Sequence, residues 1–107
     1  MSETLRRVQE LVARQEVRIS EHGYEELMAD EIFVDEVLAG LPRAIVVEDY
    51  PNFAKGPAVL VLQQSVDGRP LHVVWGIAQG TTTPAALVTA YRPDPARWSH
   101  DWMTRTR

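Results

Sequence analysis

The order of hydrophobic periods in this 107-residue chain predicts an α+β domain, with N-terminal helices followed by a four-stranded antiparallel meander sheet. Three observations carry that expectation. Apolar residues recur at helical spacing as far as Leu41, β-branched runs begin at Ala44, and the connectors between those runs are too short for crossover helices. The length fits a single domain over 1–107.

The first helix is expected from Glu3 to about Gln15, with Leu5, Val8, Leu11 and Val12 on its apolar face. After a brief alternation over Glu16 to Ser20, Ser20 is placed to cap a second helix whose buried stripe would be Tyr24, Leu27 and Met28. Gly23 weakens that helix slightly. Val34, Val37, Leu38 and Leu41 mark a third, short helix, and Gly40 and Pro42 stop it.

Strands are expected over 44–49, 58–63, 71–75 and 87–91. Between them lie a loop from Pro51 to Pro57, an Asp67-Gly68 tight turn and a Thr-rich loop from Gly76 to Pro84, all compatible with hairpins. Val59 to Leu62 is apolar on both faces, so the sheet needs cover opposite its helices. Either Trp98 and Trp102 or a second copy of the chain would supply it, with a homodimer preferred. Asp94 and Pro95 fit the start of a short C-terminal helix that would carry both tryptophans on one face.

Composition narrows the function classes. The hydrophobic share is 45% and the charged share 24%, as in soluble globular chains, and no apolar run reaches the roughly 20 residues of a membrane span. The mixed charge at the N-terminus does not resemble a signal peptide, so a cytoplasmic location is expected. No cysteine is present, which excludes disulfides, thiolate metal sites and a cysteine nucleophile. Net charge is −4 but uneven: residues 1–54 carry 12 acidic and 5 basic side chains, residues 55–107 carry 3 and 6. An acidic mean surface opposes strong nonspecific nucleic-acid binding, while leaving room for a basic patch in the second half.

Ile19-Ser20-Glu21-His22-Gly23, Glu31 to Val37, Leu71-His72-Val73-Val74 and Leu87-Val88-Thr89-Ala90-Tyr91 occur in the order helix, short helix, meander. Together they resemble the bacterial domain-of-unknown-function family DUF4258, which looks like a branch of the RelE/ParE toxin superfamily. The likeness runs from Ile19 to Arg92. It implies a RelE/ParE-like fold and a small toxin-like protein that cleaves messenger RNA without a metal and is held by an antitoxin-like partner. The alternative is a noncatalytic protein-interaction module of the same fold. Glu26 stands where the family often has an Arg.

RNA cleavage without a metal needs a base for the 2′-hydroxyl, a cation for the developing phosphorane charge and an acid for the leaving oxygen. His22, His72 and Tyr91 are the candidate acid and base groups, and Arg18, Lys55, Arg92 and Arg97 the candidate cations. Each has a plainer reading beside this one: His22 as a helix-capping side chain, the arginines as solvated charges. The three histidines match no recognised ligand spacing, so no metal or other cofactor is expected. Trp98 and Trp102 are able to stack on unpaired bases, and the tail Arg105-Thr106-Arg107 is too short to identify a nucleic-acid binder. Glu48 and Asp49, adjacent on a strand, point to opposite faces and read as a solvated strand end.

Overall fold

The computed structural model describes residues 2–106; Met1 and Arg107, the last residue of the basic tail, lie outside them. Helix α1 (Glu3–Ala13) begins where the Ser2 hydroxyl accepts the Leu5 amide at 3.0 Å, and it buries Leu5, Val8 and Leu11 on the sheet. Strand β1 (Val17–Ile19) follows, then α2 (Glu21–Ala29), α3 (Val34–Gly40) and a 3₁₀ turn (Leu41–Arg43). Strands β2 (Ile45–Tyr50), β3 (Ala58–Gln64), β4 (Pro70–Gly76) and β5 (Ala85–Tyr91) complete the sheet.

The helices and the meander lie where the sequence places them, but the sheet has five strands in the order β1-β5-β4-β3-β2, and it is mixed. β1 runs parallel to β5, pairing Val17 with Ala85 and Ile19 with Leu87. The alternation over Glu16 to Ser20 is too brief to mark a strand by itself, and the crossover that parallel pairing requires is supplied by the whole chain between β1 and β5. The other pairs are antiparallel.

Helix α2 packs on β5 through Gly23 and Leu27, so Tyr24 and Met28 face solvent at 51% and 63% exposure instead of forming the buried stripe. The stripe is rotated by one residue because Gly23 lets the helix approach closely. A Cβ there would stand 2.8 Å from Leu87 Cδ2. Ser20 secures the same joint: its hydroxyl accepts the Gly23 amide at 2.9 Å and donates to the Val88 carbonyl at 2.8 Å.

The core lies between the helices and one sheet face, around Val59, Val61, Leu71, Val73, Trp75 and Leu87. Gln63 links the layers, donating from Nε2 to the Val37 carbonyl at 2.8 Å while its Oε1 accepts Trp75 Nε1 at 3.2 Å. The opposite, outer face presents Leu60, Leu62, His72, Val74 and Tyr91, by the alternation of the strands.

The expected C-terminal helix does not form. Asp94 Oδ1 accepts the Ala96 amide in a local turn, Trp102 adopts φ +67°, and Trp98 bridges to Arg105. Ser99 and Asp101 side chains hold the reversal, accepting the amides of Thr104 and Met103. Turn chemistry therefore overrides the helix-start signal of Asp94 and Pro95. The resulting strap, residues 93–106, crosses the outer face and covers half of it, with Trp98 only 7% exposed.

Candidate functional site

The outer face concentrates most of the chemistry the sequence singles out. β4 and β5 place His72 and Tyr91 directly opposite one another in the antiparallel ladder. His72 is fully buried, and both ring nitrogens are engaged: Nε2 lies 2.9 Å from the Trp102 carbonyl and Nδ1 3.2 Å from the Tyr91 hydroxyl. A carbonyl only accepts, so Nε2 carries the proton. In the neutral ring Nδ1 then accepts from Tyr91.

Trp98 and Tyr91 enclose the imidazole edge-on, with ring centroids at 4.4 Å and 5.3 Å. Burial holds the His72 pKa below its ordinary value, opposed by the bond to the Trp102 carbonyl and reinforced by nearby Arg105. Burial likewise pushes the Tyr91 phenol up. At neutral pH the pair is an uncharged hydrogen-bonded unit.

A charged pair lies next to it. Arg105 donates through Nε and Nη2 to the two oxygens of Glu48, each at 2.9 Å, and its guanidinium lies 4.8 Å from the Trp98 ring centroid. These bonds hold the Glu48 carboxyl below the usual carboxylate range. Tyr50 donates to Glu48 as well, and its phenol pKa is raised by that bond. Glu48 and Arg105, absent from the sequence-derived site, thus fix the strap to β2. The alternation that sends Glu48 and Asp49 to opposite faces was visible in the sequence, but the partner 57 residues away was not.

The remaining candidates are spread out. Arg92 turns toward the β3–β4 connection, donating from Nη1 to Ser65 Oγ at 2.9 Å and the Pro70 carbonyl at 3.0 Å. His22 is exposed on α2, 3.7 Å from Glu26. Arg97 lies 3.9 Å from Asp94. Arg18 and Lys55 border an open trough on the other half of the outer face. The fold therefore unites His72 with Tyr91 and keeps Arg92 and His22 away from them. Among the described residues, no three His, Asp or Glu side chains are grouped to hold a metal, and no helix is long and apolar enough to cross a membrane.

No curated protein and no solved structure matches the chain. A family model described as a domain of unknown function, DUF4258, matches residues 19–92. That span opens at the Ser20–Gly23 joint and closes at Arg92, leaving α1 and the strap outside. It includes His72, Tyr91 and Glu48 but not the Trp98, Trp102 and Arg105 that enclose them. The chain belongs to the DUF4258 family.

Proposed function

We propose that this protein is a RelE/ParE-related, noncatalytic protein-interaction module whose partner is an antitoxin-like protein. The observation that carries the reading is the engagement of both His72 ring nitrogens. A general base needs a lone pair within reach of the proton it abstracts. The one lone pair of neutral His72 accepts from Tyr91, behind Trp98, and the Tyr91 proton is committed to the same bond. Of the candidate cations, Arg92 is aimed at Ser65 and Pro70, Arg97 lies 3.9 Å from Asp94, and Arg18 and Lys55 border the trough on the other half of the face. Metal-independent cleavage of RNA would need the strap to be displaced.

Support for the superfamily placement comes from helices preceding a meander, joined through Ser20 and Gly23. Support for a protein partner comes from the helical layer. Tyr24, Met28 and Phe33 are exposed by 51%, 63% and 75%, and they lie within Glu21 to Glu36, which holds seven carboxylates and no Lys or Arg. Exposed apolar groups of this kind mark contact surfaces, and the surrounding charge selects a cationic partner segment.

Incubating the purified full chain with end-labelled single-stranded RNA tests the noncatalytic reading, and titrating it with a fluorescent Lys/Leu amphipathic peptide tests the surface. The RNA should stay intact. The peptide should bind and be weakened by Met28→Lys. RNA cleavage that disappears in the doubly substituted His72→Ala, Arg92→Ala chain, shown by circular dichroism to remain folded, would restore the endoribonuclease reading.

A further inference from the structure

The uncovered half of the outer face is a trough. Tyr50, Ala58, Gly76, Ala86 and Arg18 stand in one cross-strand row spanning β2, β3, β4, β5 and β1. Strands lie about 4.8 Å apart, so the three small central residues leave the sheet bare over roughly 10 Å between a phenol ring and a guanidinium. Val88 walls one side and the loop carrying Phe53 and Lys55 walls the other, enclosing about 380 Å³. Gly76 keeps the floor low: a Cβ there would stand 3.3 Å from the Pro57 carbonyl and 3.6 Å from Val88 Cγ2.

The lining is chemically one-sided. Tyr50 and Phe53 are 42% and 52% exposed, and no carboxylate lines the trough. Neither Arg18 nor Lys55 belongs to any ion pair among the described residues. Two unpaired cations beside exposed rings are a local reversal of sign on a chain of net charge −4. The volume falls in the range of small-molecule sites, which are mostly apolar with a few placed polar groups.

We propose that the trough binds a small aromatic anion. A flat ring lies on the Ala58, Gly76 and Ala86 floor against Tyr50 and Phe53, and its carboxylate, sulfonate or phosphate is held by Arg18 and Lys55. Ring contact supplies apolar burial and stacking, and the cations supply charge-assisted hydrogen bonds. A neutral ring forgoes the second contribution and an aliphatic anion the first. The site is on the sheet face away from α2, so it stands independently of the helical-layer partner surface.

Fluorescence titration of the full chain with 8-anilinonaphthalene-1-sulfonate, set against its uncharged parent N-phenyl-1-naphthylamine, tests this. The sulfonate should bind one to one and about tenfold tighter than the parent. Arg18→Gln and Lys55→Gln should each weaken it by about fivefold, while Arg14→Gln leaves it unchanged. Ala58→Phe, shown by circular dichroism to remain folded, should abolish binding. Equal affinity for charged and uncharged probes would overturn the proposal, as would affinity that survives both charge substitutions. So would binding lost with Met28→Lys instead, which would place the probe on the helical layer. Binding of an acidic Trp-containing peptide without binding of the free sulfonate would overturn it in favour of a polypeptide ligand.

Discussion

His72 and Trp102, 30 residues apart in sequence, are joined by one hydrogen bond of 2.9 Å from the imidazole Nε2 to the Trp102 carbonyl. That bond ties the strap to the middle of the sheet, and it assigns the ring proton. Replacing His72 by Ala opens a cavity and leaves the Tyr91 hydroxyl and Trp102 carbonyl without their partner. The expected cost is about 2–4 kcal/mol, read as a lower urea midpoint with a red-shifted tryptophan emission as Trp98 loses its cover. An unchanged midpoint would show that the strap is held by other contacts.

Stability should fall on mild acidification. The native His72 pKa lies below its value of 6.5 in the unfolded chain because burial opposes the charge. The unfolded state therefore binds more protons as pH falls through that region. The contribution is fully present above about pH 7.5, declines as pH drops through 6.5, and levels off once the native ring also protonates. The comparison is between thermal midpoints of the wild type and His72→Gln from pH 8 to pH 5. The His72-linked part of the slope should vanish in the variant, and a wild-type midpoint flat across that window would contradict the sign.

The Glu48–Arg105 pair should be worth much less than its geometry suggests. The side chains are 26% and 56% exposed, so solvent screens them. A double-mutant cycle with Glu48→Gln and Arg105→Gln should give a coupling of about 0.5–1 kcal/mol that shrinks in high salt. A coupling above about 2 kcal/mol would mean that the strap is dehydrated more thoroughly than this packing implies.

Gly56 and Gly68 both adopt positive φ, at +121° and +83°, yet they should respond differently to alanine. A Cβ at Gly56 would sit 2.0 Å from the Ile77 carbonyl oxygen, whereas one at Gly68 meets nothing within 4 Å. Gly68→Ala should cost about 1 kcal/mol, for the backbone conformation alone. Gly56→Ala has to move the 51–57 loop and should cost at least about 3 kcal/mol. Similar losses at the two sites in chemical denaturation would refute the contact argument.

Much of the fold was legible because long elements declare their period: α1, the third helix and the meander strands lie close to their expected bounds. What escaped was short or long-range. β1 is three residues, so the alternation over Glu16 to Ser20 is too short to mark a strand, and its partner β5 lies far along the chain. The turn formed by Ser99, Asp101 and left-handed Trp102 competes with a helix signal that Asp94 and Pro95 carry on their own. In α2 the pattern marked the apolar residues correctly but not their facing, since the contact of Gly23 with Leu87 sets the rotation. His72 and Tyr91 were picked out individually. Their pairing required the β4–β5 register, and the partners supplied by the strap required its path across the sheet.

His72 is a buried structural fastener with no free nitrogen, and its ring nitrogens report this directly. A long-range ¹H–¹⁵N correlation spectrum of the uniformly ¹⁵N-labelled protein, recorded from pH 8 to pH 5, should show a neutral His72 protonated at Nε2, titrating below the ordinary histidine value of 6.5. A ring protonated at Nδ1, or one that titrates at or above 6.5 like an exposed histidine, would return His72 to the candidates for a general base.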